Sequence, residues 1–319
     1  MSVYAFMSMA GSTGKSASLG AFAWLLAQQG LKVRLIDFDA QANTSTVYGY
    51  PYYQGLTVGD VVREKASIGE VEVFAQRYIG VDADTNEIVY EPIPNLTVVP
   101  TYRKALTPLI SELSGAKVNR LRKALVVDAD QRPEAQPDIT LIDCGGTESP
   151  LLIAGALATS AFDDDDRPGA WGVITCAKPA GKEIEGIPDL IESLADWRET
   201  YNRQLELVAV VPTIIPAQGG RVAKEDEPDR YQFRIGGGYR EMLTDLEAEY
   251  ADALIGGVTP PIRRTVQVDH AYSARTPLVL FKPSETRDIM DDYAVALAHL
   301  QKRGVFVPRS GLPTRKAAV

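Results

Sequence analysis

Short runs of consecutive apolar residues alternate with longer stretches of helical period along most of the chain. The apolar runs are VYAFMSM (3–9), KVRLIDFDA (32–40), NLTVVP (95–100), DITLIDC (138–144), GAWGVITCA (169–177) and LELVAVVPTII (205–215). They are rich in Val, Ile and Leu and lack regular polar alternation, which suits strands covered on both faces. Helical patterns lie between several of them: SASLGAFAWLLAQQG, closed by Gly30, then LISELSGAKVNRLRKALVV and EIEGIPDLIESLADWRETYNRQ. Repeated strand–helix alternation predicts an α/β fold, a single doubly wound, mostly parallel sheet flanked by helices. The expected organisation is one domain over 1–304 and a tail over 305–319. The acidic stretch FDDDDRPG (162–169) reads as a solvated loop, and the polar segment from Gln218 to Gly238 as a long loop or partner surface.

Composition narrows the function classes. With 319 residues, 45% hydrophobic and 24% charged, the chain buries a large core and is not disordered. Cys144 and Cys176 lie far apart inside apolar runs, which argues against a disulfide framework or cysteine zinc site and for a reducing, cytoplasmic setting. No run approaches the ~18 apolar residues of a membrane span, so no membrane partner is expected. The net charge of −9 opposes recruitment to nucleic acid by bulk charge, yet residues 261–319 hold ten Lys/Arg against five acids. That asymmetry fits either an anionic partner or a solvated basic end. His270 and His299 are isolated from any ligand set and read as surface or packing residues.

The clearest chemistry is in the first turn. Met9-Ala10-Gly11-Ser12-Thr13-Gly14-Lys15-Ser16 follows a predicted strand and opens a predicted helix, the context of a phosphate-binding loop. Amides of Gly11, Ser12, Thr13, Gly14 and Ala17, with the helix dipole behind them, suit a triphosphate; Lys15 reaches for the β/γ-phosphates and Ser16 for magnesium. Two other strands end in acids. Asp37 and Asp39 close the second run (LIDFDAQAN) and Asp143 the fourth (LIDCGG), at the carboxyl edge where ligands bind in such sheets. An acid at the fourth run suits magnesium, and the glycines after it a turn that senses the γ-phosphate.

AGSTGKS, DFDAQAN and LIDCGG together resemble the ParA/MinD family of deviant Walker-box ATPases, and within it the partition ParA proteins. The resemblance extends through NLTVVP, Lys182–Gly186 and PIRRTV to Thr276-Pro277-Leu278, about residues 1–300. It implies ATP and Mg²⁺ as ligands, Lys15 and Asp39 as catalytic residues, and Ser16, Asp37 and Asp143 around the metal. It also implies Pro212 and Thr213 at the adenine, although the same dipeptide suits a plain strand terminator. An ATP-dependent homodimer that binds non-specific DNA and answers to a ParB-like or adaptor protein follows from the family, with a nucleoid-associated location. Arg264 matches the arginine of the family's IPRxVR stretch. Gln267 replaces the next arginine, leaving Arg263, Arg275 and Lys282 as further DNA-binding candidates.

One departure bears on the rate. The position of the family's signature lysine, which reaches the partner's phosphates, is Ala10. Transition-state cations contribute on the order of 10³ or more in phosphoryl transfer. Lys178 and Lys182 are the expected substitutes. The McdA proteins that position carboxysomes show a similar loss, so two readings stand: a partition ATPase, and an ATP-dependent DNA-binding or positioning scaffold with very slow hydrolysis. A MinD-like membrane switch is disfavoured, because GVFVPRSGLPTRKAAV carries two prolines and no apolar stripe.

Overall fold

The computed structural model describes residues 2–146, 148–160, 170–178, 182–201, 203–218 and 233–308. In chain order the strands are β1 (Ser2–Met7), β2 (Val33–Phe38), β3 (Val73–Val81), β4 (Ile88–Val99), β5 (Ile139–Cys144), β6 (Trp171–Ala177), β7 (Leu207–Pro212) and β8 (Gly257–Val258). The helices are α1 (Lys15–Gln28), α2 (Asn43–Val47), α3 (Val58–Val62), α4 (Ile68–Val71), α5 (Leu109–Glu112), α6 (Arg120–Gln131), α7 (Pro150–Ala158), α8 (Lys182–Tyr201), α9 (Gly237–Tyr250), α10 (Gln267–Ser273) and α11 (Pro283–Lys302). The strands form one sheet in the order β3-β4-β2-β5-β1-β6-β7-β8, parallel throughout except for the antiparallel β3–β4 pair.

Both faces of the central strands are apolar, and alternate residues serve different cores. Val3, Ala5 and Met7 of β1 enter the layer shared with α6, α7 and α8. Tyr4 and Phe6 enter the layer shared with α1 and α11. Full burial of each such side chain is worth about 1.5–3 kcal/mol, so a strand of this kind is stable only between two helical layers. α1 ends as its sequence predicts: Gly30, at φ +86°, accepts the left-handed turn, and the amides of Gly30 and Leu31 close onto Ala27 and Leu26.

The structure departs from the sequence expectation in four places. The run at 95–100 is the end of a longer strand that begins at Ile88 and folds back on β3. The helical pattern at 109–127 divides into α5, a 3-10 turn at Gly115–Asn119 and α6, with Gly115 at φ +52° making the break. β8 is a two-residue edge strand beyond β7. The folded body also continues past 304, since Val305 and Phe306 are fully buried and the Phe306 amide donates to Tyr4 Oη at 3.0 Å. The acidic loop at 162–169, most of the Gln218–Gly238 segment and the tail beyond 308 lie outside the described residues.

Candidate functional site

β1 delivers the phosphate loop and α1 receives it. Gly14 adopts φ +77° as the residue before α1, and no side chain caps the helix, so the first-turn amides are left to an anion. Ser12, a non-glycine residue, is held at φ 56°, and Ile214, which faces the same cleft, at φ 60°. Left-handed residues of this type cost of order 1–3 kcal/mol and cluster where a backbone must present itself to a ligand. Gly146 allows close approach from the β5 turn: a Cβ there would lie 3.2 Å from Lys15 Nζ and 3.3 Å from the Ala10 carbonyl.

The three acidic strand ends do converge, but in different layers. Asp39 is half-buried and lines a cleft of about 960 Å³ with Gly11–Ala17, Gly145 and Gly146. Its Oδ1 accepts the Gln41 amide at 2.9 Å. Asp143 is fully buried directly below; its carboxylate accepts hydrogen bonds from Ser16 and, at 2.7 Å to Oδ2, from Thr44 Oγ1. Burial, opposed by those two bonds, raises its pKa to about 6. Asp143 Oδ1 is buried with no partner, an oxygen left for a cation or its water shell. The donor set of Ser16 and Asp143 therefore fits magnesium.

Asp37 does not line the cleft. It is fully buried, and its Oδ2 accepts both the Ser45 amide at 2.7 Å and Ser45 Oγ at 2.6 Å. It fastens α2 to the end of β2, and Oδ1 touches the Asp39 amide at 3.4 Å. Burial first, then repulsion from Asp143, pushes its pKa up to about 8. Asp37 thus braces Ser45 and the Asp39 backbone from behind the cleft wall.

Thr213 is likewise a support. It is 2% exposed, donates from Oγ1 to the Thr13 carbonyl at 2.7 Å, and its amide bonds to Ala177. Pro212 pairs with Ala177 inside the sheet. The neighbouring Ile214 faces the cleft instead, opposite Val268, Ala271, Pro277 and Leu278. This apolar wall was missed from sequence, as was the Tyr272–Asn43 bond that ties α10 to α2 at 2.8 Å. Ile214 lies past the end of β7 and at φ 60°, so the alternation of the strand does not extend to it and its direction is set by that turn.

The basic residues separate. Arg263 is committed to Asp292, with Nε–Oδ2 at 2.6 Å and Nη2–Oδ1 at 2.8 Å, and also meets Asp288. Its side chain is 11% exposed, so it is a structural ion pair and not an open phosphate contact. Arg264 is exposed. Arg275 stacks 4.6 Å above the Tyr52 ring, and Lys282 is paired with Glu285 at 3.1 Å. Ala10 sits against α8, where a Cβ at Gly186 would come within 3.9 Å of its amide. Lys178 is partly buried at the end of β6; Lys182 begins α8, and its side chain lies outside the described residues. His299 Nε2 packs on the Gly256 carbonyl at 3.1 Å, and His270 is exposed.

Residues 4–227 match the CobQ/CobB/MinD/ParA nucleotide binding domain. The cell division protein PomZ of Myxococcus xanthus is 25% identical over 286 residues, covering 88% of this chain and 72% of PomZ. Apo McdA of Cyanothece superposes with a TM-score of 0.66 at 14% identity, over 93% of this chain and 99% of that one. A plasmid partition protein of Borrelia burgdorferi B31 bound to AMPPNP gives 0.64 at 16%, over 95% and 99%. Cobyrinic acid a,c-diamide synthase of Mycobacterium smegmatis, with a bound ATP analogue and magnesium, gives 0.61 at 18%, over 97% and 98%. Those structural likenesses extend the shared fold across nearly the whole chain.

Proposed function

The chain belongs to the CobQ/CobB/MinD/ParA family of nucleotide-binding domains, and from that premise we propose a partition or positioning ATPase that uses ATP as a switch. The observation that carries the reading is the convergence of Lys15, Ser16 and Asp39 on one cleft from adjacent strand ends, with Asp143 buried behind it and its Oδ1 unpartnered. In this reading the α1 amides and Lys15 hold the phosphates, and Ser16 and Asp143 hold magnesium. Bound magnesium supplies positive charge against the phosphates. Asp39 orients the attacking water, while Ile214, Val268 and Leu278 take the base. Asp37 and Thr213 keep these groups in place from below.

ATP then favours a face-to-face homodimer that binds DNA without sequence preference and is released when a ParB-like or adaptor protein stimulates hydrolysis. The DNA surface centres on Arg264 and Lys282, since Arg263 is neutralised by Asp292. PomZ being a cell division protein, and two neighbours being a partition protein and McdA, supports a cargo-moving role over a biosynthetic one. Ala10 keeps a second reading in play, a nucleotide-gated scaffold in which hydrolysis is negligible. Turnover measured with magnesium and duplex DNA separates them: phosphate release that Asp39→Ala abolishes supports the ATPase. ATP binding without release, in parent and variant alike, supports the scaffold.

A further inference from the structure

The β3–β4 hairpin carries an exposed apolar strip that the nucleotide cycle does not use. Its register pairs Val81 with Ile88, Tyr78 with Tyr90 and Gln76 with Pro92. Directly opposed residues share a face, and alternate residues of β4 return to it, so Ile88, Tyr90 and Pro92 lie on one side with Val81 and Tyr78. The irregularity between Tyr78 and Gly80 places Ile79 as the extra residue that keeps this alignment. Tyr78 is 44% exposed, Val81 51% and Ile88 56%. The Tyr78 and Tyr90 rings meet edge to face at 6.3 Å. Tyr52, 71% exposed beneath Arg275, extends the strip toward the body of the protein.

Two observations define what fits there. First, β3 is the edge of the sheet. Its beginning is covered, with the Phe74 carbonyl accepting Tyr50 Oη at 2.7 Å and the Gln76 amide donating to the Tyr48 carbonyl at 3.0 Å. Beyond Gln76, among the described residues, its outer edge has no backbone partner. Second, no Lys or Arg occurs between Arg77 and Arg103, whereas Asp82, Asp84, Glu87 and Glu91 do. Glu91 pairs with Arg77, and Asp82 is spent on the turn, where it accepts the Asp84 and Thr85 amides. Asp84 and Glu87 are left exposed at the tip.

We propose that this hairpin docks an extended segment of a partner protein in which apolar residues alternate and Lys or Arg reaches the tip acids. The segment adds a strand beside Tyr78–Val81 and lays its apolar side chains on the strip, with the acids selecting its charge. DNA and anionic lipid are repelled by the same acids, and a second copy would set like charges against each other. The inference deepens the reading of a partner-regulated switch by giving the partner a place outside the nucleotide cleft.

The test is selection of a displayed library of random dodecapeptides on the full chain, followed by anisotropy with synthetic copies of the enriched peptides. Two variants serve as controls: Val81→Ser with Ile88→Ser on the strip, and Asp84→Lys with Glu87→Lys at the tip, which touches no packing. The expected peptides alternate apolar and basic residues, and their affinity falls about tenfold or more in each variant. Failure to enrich, enrichment of acidic peptides, or binding indifferent to both variants would overturn the proposal. Self-association of the parent that the strip variant abolishes would also overturn it, by giving the face to a second copy. ATP affinity measured on the same proteins keeps the two readings apart. A chain that binds ATP without hairpin-dependent peptides loses only this inference, and one that binds the peptides without ATP loses only the earlier one.

Discussion

Lys15 and Asp39 are close in space and do different work, so their removal should separate binding from chemistry. Lys15 is the cation of the phosphate loop, and Lys15→Ala should weaken ATP by about 10–100-fold, the worth of one charge-assisted contact. Asp39 reaches the cleft without being enclosed, and Asp39→Ala should leave affinity within about threefold while turnover drops on the order of 10²–10⁴. Calorimetry and phosphate release on the two variants check both statements; equal affinity for Lys15→Ala and the parent would contradict the site. Asp37 makes a pH prediction. Its folded pKa is raised from 3.8 to about 8 by burial and by Asp143, so its protonated form favours the fold. That contribution is present below pH 3.8 and is lost as pH rises through about 8. Without nucleotide or magnesium, Asp37→Asn should therefore gain on the parent as pH rises from 6 to 8, by about 2–4 °C in Tm. Parallel Tm curves for the two proteins would show that Asp37 is not strained by its charge.

At the scale of elements, the phosphate loop depends on a strand far away in sequence. Thr213 on the β7 exit holds the Thr13 carbonyl across 200 positions, and nothing else grips that carbonyl among the described contacts. Thr213→Val keeps the shape and deletes the bond, so ATP affinity should fall by about 3–10-fold with Tm nearly unchanged, as read by calorimetry and thermal melting. An unchanged affinity would mean that the loop holds itself. The same element explains what sequence could and could not show. GSTGKS, DFDAQAN and LIDCGG were legible because each is local and each sits at a strand end. The role of Thr213 was not, because its partner is a backbone carbonyl that only the fold brings near. The β3–β4 hairpin was missed for a different reason. Its outer half is exposed on both strands, so VFAQRYIGV and EIVYEPIP show neither the continuous burial of the central strands nor a clean alternation. The turn residues Asp82 to Asn86 were the signal available there.

At the scale of the molecule, charge counted along the chain overstates the basic surface left open to an anionic partner. The excess of Lys/Arg after residue 260 is real, but Arg263 is consumed internally and Arg275 lies on Tyr52. Arg263→Glu should act on stability, because it leaves buried Asp292 unpaired and sets a third acid beside it and the exposed Asp288; about 3–5 kcal/mol is expected from denaturant unfolding. Arg264→Glu should leave unfolding unchanged and weaken retention on non-specific duplex DNA, with a shallower salt dependence by about one contact. The reverse pattern would move the interface. No described helix is long and apolar enough to cross a membrane. The whole account rests on ATP acting as a switch, and the most direct measurement is molar mass in solution together with DNA retention at fixed salt, in ADP and in ATP with magnesium. The account predicts a monomer that ignores DNA with ADP and a DNA-retained dimer with ATP; the same mass and the same retention in both nucleotides would contradict it.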